Sequence, residues 1–307
     1  MEAVQMTLSG KSAERITLLY SAARRNGSLV SVQELSRLLP EVASESEVEA
    51  AILSDTSLSS RFELKSGYLT ERNEGSQTDP LPLEEESRRV ARTNLSHASN
   101  LVSFLLPCRY LVVAVSGSTS YGSASLSRDA DLFCVTPQGR MWILLAKGLI
   151  IARVYRLVNR RAPHFCLSCV MDETYARSVF SSQRHPLFAR DALEAKVLIG
   201  RDIYKSLLGT AAWMSAYFPV AYREAVSDTP REHKTQRRQA LAGILNRLLF
   251  VTLGRYIRAK SSLLNRNLKA SGRSGDLFRV RLGVDHLIYE SRRYVDLRRE
   301  YEIAEPA

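Results

Sequence analysis

Two short stretches hold residues whose types and spacing could do phosphoryl chemistry. The first runs from Val113 to Gly122 and reads VAVSGSTSYG; the second runs from Arg128 to Phe133 and reads RDADLF. Gly117 has no Cβ, so its backbone can approach a phosphate closely. The Ser118 hydroxyl and nearby amide N–H groups can donate to phosphate oxygens. Ser116 and Arg128 flank these motifs and complete the set of candidate nucleotide contacts. Asp129 and Asp131 are two residues apart, so on a strand both side chains leave one face. Two carboxylates on one face repel unless a cation sits between them. Mg²⁺ (or Mn²⁺) prefers hard oxygen ligands together with substrate phosphates. Such an ion polarises an α-phosphate and holds a pyrophosphate leaving group in line.

The chemistry depends on what positions these residues. Tyr110 to Val115 is a nearly continuous run of strand-forming residues leading into Ser116-Gly117-Ser118. Asp131 to Val135 is a second such run, ended by Thr136-Pro137. Met141 to Val158 reads as a helix and Phe165 to Met171 as a third strand. A long amphipathic helix, Glu84 to Leu106, precedes them and Pro107 ends it. Helix, strand, strand, helix, strand argues a mixed α/β sheet, an α+β class. From about Ser182 the pattern is helical to the end, in segments Pro186–Leu208, Arg231–Lys269 and Asp285–Glu302.

The N-terminal stretch reads as three short helices and a hairpin. The first, Ala13 to Arg25, stops at Asn26-Gly27. Ser31 with Glu34 forms a capping box for the second, and Ser44 or Ser46 starts the third. Lys65-Ser66-Gly67 turns a hairpin between Arg61–Leu64 and Tyr68–Thr70. Three helices and a two-stranded wing resemble a small winged-helix domain. The third helix carries Glu45, Glu47, Glu49 and Asp55, however, whereas a recognition helix usually meets phosphates with Arg or Lys. A packing or protein-contact role is preferred over DNA reading. The domains expected are 1–72, a polar linker 73–83, a core 84–181 and an all-α region 182–307.

The pattern of apolar strand, Gly117-Ser118, ten residues, Asp129-x-Asp131, apolar strand resembles the polymerase β-like nucleotidyltransferases over roughly Glu84 to Asp172. That resemblance implies Gly117 and Ser118 as the triphosphate-contacting turn, Asp129 and Asp131 as metal ligands, and an NTP as substrate. The text from Phe165 to Asp172, then Glu194 to Tyr204 and Trp213, is similar to uncharacterised prokaryotic nucleotidyltransferase-domain proteins. Active members usually carry a third carboxylate on a later strand. The matching strand here, Phe165 to Met171, has none inside it, which leaves Asp172 as the candidate third catalytic acid.

Charge location bears on partners. The chain has 307 residues and a formal net charge of +11. Between Arg231 and Gly275 lie eleven Arg and Lys residues and one acid, Glu232, so this segment holds nearly all of the imbalance. Arg247, Arg255, Arg258, Arg266 and Lys269 keep to one side of a helix, with Leu245, Leu249, Leu253 and Tyr256 opposite. They read either as a solvated face or as a wall for phosphate or nucleic acid. Four cysteines exclude a disulfide scaffold, and Cys166 and Cys169, in an apolar run without a second pair, read as buried thiols rather than zinc ligands. His164 and His286 are isolated and read as structural. Met1 to Lys11 shows no apolar run and Lys147, Arg153 and Arg156 interrupt Met141–Val158, so neither a leader nor a membrane partner is expected, and the setting is cytoplasmic.

Taken together the residues point to Mg²⁺-dependent transfer of a nucleoside monophosphate from an NTP to a hydroxyl of RNA, protein or a small molecule. DNA enters only through the N-terminal module. The competing expectation is a catalytically degenerate nucleotide-binding regulator, and a third is a signalling transferase that modifies a partner protein.

Overall fold

The computed structural model describes residues 10–25, 28–72, 81–122, 129–227 and 240–304. Asn26-Gly27, linker residues 73–80, Arg128, and Arg231, Lys234, Arg237 and Arg238 lie outside the described residues. The N-terminal part contains α1 (Gly10–Arg25), β1 (Val30–Ser31), α2 (Val32–Leu38), α3 (Glu45–Ser54), α4 (Thr56–Arg61), β2 (Phe62–Lys65) and β3 (Tyr68–Glu71). Ser31 caps α2 and Ser44 caps α3, each in a full capping box, with Glu34 and Glu47 returning to the cap N–H. Each box satisfies amide groups the first turn would otherwise leave unpaired. Ser66 and Gly67 both take positive φ (51° and 78°), the conformation a two-residue hairpin needs. The three strands form an antiparallel sheet in the order β1-β3-β2. The sequence gives no separate warning of α4, which Asp55 caps by accepting from the Ser57 and Leu58 amides.

The remainder contains α5 (Leu81–Leu105), β4 (Val112–Ser116), β5 (Asp129–Thr136), α6 (Met141–Val158), β6 (His164–Asp172), α7 (Glu173–Ser182), α8 (Pro186–Glu194), β7 (Lys196–Ile199), α9 (Arg201–Gly209), α10 (Pro219–Val226), α11 (Ala240–Ala270), β8 (Phe278–Leu282), β9 (His286–Ser291) and α12 (Arg292–Ala304). Six strands form one mixed sheet in the order β7-β4-β5-β6-β9-β8. Only β5 and β6 run parallel; the other neighbours are antiparallel. The expected α+β class holds.

The all-α expectation for residues 182–307 is overturned. Strands β7, β8 and β9 come from that region and complete the sheet. The supposed helix Pro186–Leu208 is α8, β7 and α9, and Asp285–Glu302 contains β9 before α12. Gly200 makes the β7-to-α9 turn at φ 73°, where a Cβ would stand 1.7 Å from the Leu111 carbonyl oxygen. No residue with a side chain fits so close an approach. Strand pairing is nonlocal, and runs of four to six residues reveal little of it to a reading of local pattern.

The sheet has a hydrophobic cluster on each face. On one, α5, α6 and α11 cover Val113, Val115 and Leu132, with Trp142 and Leu145 fully buried. On the other, helices from α7 to α10 cover Val112, Ala114 and Phe133. Full burial of such a side chain contributes roughly 2 kcal/mol. The N-terminal helices belong to this second cluster, since Leu19, Leu35 and Ile52 join it. Polar ties reinforce the junction. The buried Glu84 carboxylate accepts from the Leu29 amide at 2.8 Å and from Arg88 at 2.6 Å. Arg37 reaches Glu194 at 3.1 Å. Among the described residues no helix is long and apolar enough to cross a membrane.

Candidate functional site

The ends of β4 and β5 bring the two chemical motifs together. In the antiparallel register Ser116 lies opposite Asp131. Gly117 follows at φ 66°, and a Cβ built on it would sit 3.2 Å from Asp131 Oδ2. The turn therefore presents its backbone directly to a carboxylate, at a position that a side chain would crowd. Ser120 Oγ donates to the Gly117 carbonyl at 2.8 Å and closes the turn. Asp129 and Asp131 line the same cavity as Ser116 and Gly117. The cavity is about 720 Å³, within the range of small-molecule sites. Arg128 lies outside the described residues.

Electrostatics separate the two acids. Burial pushes the Asp131 carboxyl up to about 6, and the neighbouring Asp129 adds to the rise. Hydrogen bonds from Ser168 and Cys166 oppose it. Asp129 is exposed at the mouth. A carboxylate drawn out of water beside a second acid, facing a turn without a side chain, is a fit for a hard divalent cation. Asp129 and Asp131 would hold it. Among the described residues no group of three or more His, Cys, Asp or Glu could hold a metal. Mg²⁺ sites often take one or two carboxylates and complete the shell with water and phosphate oxygens.

Asp172 does not join the pair, which corrects its reading as a third catalytic acid. In the parallel register Asp131 is opposite Cys166 and Asp172 is opposite Thr136. Five residues of strand, about 16 Å, separate the two levels. Asp172 caps α7 instead, accepting from the Tyr175 amide at 3.0 Å and the Gly139 amide at 3.5 Å. The strand level where a third acid was sought carries Ser168, a hydrogen-bond donor to Asp131. The four cysteines are free thiols, and burial lifts Cys166 and Cys169 to about 12. His164 pairs with Arg156 at 2.7 Å, and His286 stacks on Tyr175.

The basic positions divide. Arg247, Arg255, Arg258, Arg266 and Lys269 are all exposed on α11. Arg258, Arg266 and Lys269 line one groove, whereas Arg247 lies by a different hollow with Asp172 and Asp285. Leu249 and Leu253 pack on the core, but Leu245 and Tyr256, expected beside them, are 46% and 59% exposed. The cation of α11 that enters the candidate site is Lys260, which sequence reasoning did not single out.

Other lining residues also escaped the sequence reading. Glu290 on β9 and Arg281 on β8 reach the cavity and pair at 3.3 Å. Asp191 on α8 also lines the cavity; Tyr121 and Tyr294 donate to it, and burial lifts the carboxyl to about 7. Tyr121 lay within the VAVSGSTSYG run; Asp191, Glu290 and Tyr294 come from segments read as plain helix, and Arg281 from the stretch between two of them. No protein-family model, curated protein or solved structure matches the chain.

Proposed function

We propose that this protein is a divalent-metal-dependent nucleotidyltransferase of the polymerase β type, moving a nucleoside monophosphate from an NTP to a hydroxyl acceptor with release of pyrophosphate. The observation that carries the reading is the approach of the Gly117 backbone to Asp131, with Asp129 lining the same cavity. In this reading the Gly117-Ser118 turn holds the β- and γ-phosphates through backbone N–H groups. Asp129 and Asp131 hold Mg²⁺ or Mn²⁺. The ion supplies neutralisation of phosphate charge and polarisation of the α-phosphate. Ser168 orients Asp131, and Lys260 adds positive charge at the cavity wall. The N-terminal region, read as winged-helix-like, serves as a packing or protein-contact module, because Glu45, Glu47 and Glu49 on α3 are all exposed.

The test is label transfer. The full chain is incubated with Mg²⁺ and each α-phosphate-labelled NTP in turn, with RNA, protein and small hydroxyl acceptors. Transfer that disappears in Asp131→Ala supports the proposal. Transfer equal in wild type and Asp131→Ala, or none with any NTP and acceptor, refutes it.

One observation favours a second reading, a nucleotide sensor without turnover. Asp172 stands about 16 Å along the sheet from Asp131, so no third acid comes from the expected strand. Calorimetry showing metal-dependent NTP binding with no transfer would select that reading.

A further inference from the structure

A groove between the C-terminal half of α11 and the edge strand β8 adjoins the candidate site. It encloses about 550 Å³, and Arg258, Arg266, Lys269 and Arg279 line it with no acid among the lining residues. Among the described residues none of these four cations has a carboxylate within ion-pair distance. Their neighbours differ: Arg273 and Arg293 both pair with Asp276, and Arg281 pairs with Glu290. Four like charges without carboxylate partners among the described residues, three on α11 and one on β8, repel one another across the groove, and a bound anion relieves that repulsion.

The groove has a fixed frame and a direction. Asn265 of α11 holds β8 at both atoms of one residue, donating to the Phe278 carbonyl at 2.7 Å and accepting from its amide at 3.2 Å. Ser261 and Phe278 line both this groove and the Asp129/Asp131 cavity, so the two meet there. Arg258 and Lys269 are eleven residues apart on one helix, about 16 Å along its axis. That span exceeds the triphosphate of one nucleotide held at Gly117. It suits a polyanion that extends away from the site. Phe278 and Tyr289, whose ring centroids are 5.9 Å apart, stand at the junction and give bases an aromatic surface.

We infer that this groove binds a single-stranded nucleic acid and leads its terminal hydroxyl, as acceptor, into the Asp129/Asp131 cavity. The acceptor role rests on the transferase proposal; the binding itself does not. A basic groove that tracks the backbone, beside aromatic rings that accept any base, is how single strands are held without sequence preference. A duplex keeps its bases paired inside the helix and so cannot lay them on these rings.

The experiment is fluorescence anisotropy on the full chain, with a labelled single-stranded RNA of about 12 nucleotides, its DNA equivalent, the matching duplex, and inorganic polyphosphate as competitor. Wild type is expected to bind the single strands more tightly than the duplex, with affinity falling as salt rises. The triple variant Arg258→Ala/Arg266→Ala/Lys269→Ala is expected to lose tenfold or more. Its log–log salt slope should fall by about 2, from three phosphate contacts at roughly 0.7 each. Lys147→Ala/Arg153→Ala, both exposed on α6, serves as the control with unchanged affinity. Asp131→Asn should bind the strands normally while losing transfer, which separates failure of the groove from failure of the chemistry. No single-strand binding by wild type, equal binding by the triple variant, preference for duplex, or displacement by polyphosphate as readily as by RNA would each overturn the inference.

Discussion

The two ends of the β5–β6 strand pair each carry an aspartate, Asp172 buried and Asp131 half-buried, and the two behave differently. At one end Asp172 has its carboxyl raised by burial, and its oxygens accept from the Tyr175 and Gly139 amides. It starts a helix. At the other end Asp131 is raised to about 6, also by burial, but its partners are the Ser168 hydroxyl and the Cys166 thiol. A second acid lies two residues away, and a glycine turn lies directly against the carboxylate, where an added Cβ would stand 3.2 Å from Oδ2. A carboxylate committed to local backbone groups is structural. On the proposed reading, one held beside a like charge, against a glycine turn, has electrostatic capacity left for a cation.

The largest effect expected from that contrast is on catalysis. Asp131→Ala should reduce NMP transfer at least 10³-fold, whereas Asp172→Ala should leave kcat of the folded protein within about twofold. The latter should instead lower stability by about 1–2 kcal/mol, the usual range for a lost N-cap, read by urea unfolding. Equal losses of activity in the two variants would erase the distinction.

Stability against pH sharpens it next. Asp131 is held near 6 in the folded protein, above its ordinary value of 3.8. The neutral form is therefore favoured by folding. That contribution is complete below about pH 4 and is lost as pH climbs through about 6. At pH 8 the ionised group costs roughly 2 kcal/mol by the usual 1.4 per pKa unit, discounted for partial exposure. Asp131→Asn should raise Tm by a few degrees at pH 8 and leave it unchanged at pH 4. Mg²⁺ should stabilise wild type at pH 8 and have little effect on the variant. A Tm unaffected by the substitution at pH 8 would show that burial there is not costly.

Two smaller effects concern the turn and the floor of the site. Gly117→Ala places a Cβ at 3.2 Å from Asp131 Oδ2 with φ at 66°. The left-handed conformation alone costs about 1–2 kcal/mol. A loss of stability in that range and a rise in KM for NTP of about tenfold are expected. Ser168→Ala removes one donor to Asp131, and should shift the acid limb of the pH–activity profile upward by a few tenths of a unit. An unmoved profile would take Ser168 out of the site.

Much of the local structure was legible in the residues themselves. Ser31 with Glu34 and Ser44 with Glu47 announce two helix starts, Ser66-Gly67 a hairpin turn, and Met141 to Val158 a helix with the bounds observed. Gly117 near Asp131 followed from two apolar runs with a turn between them. The edge and outer strands were not legible. Lys196–Ile199 and His286–Ser291 are short, and what makes them strands is pairing with β4 and β6, far away in the chain. Lys260, Arg281 and Glu290 were equally hidden, since their place at the cavity depends on how α11 and the β8–β9 hairpin pack.

By itself, then, the sequence determined which residues could do chemistry and the local elements that carry them, because caps, turns and alternation act over a few residues. Only tertiary structure decided that Asp172 belongs to a helix cap and not to the acid pair, that the C-terminal region completes the sheet, and which cations of α11 border the cavity. Those outcomes depend on strand register and helix docking between distant segments, where a shift of a few residues moves a carboxylate by many ångströms.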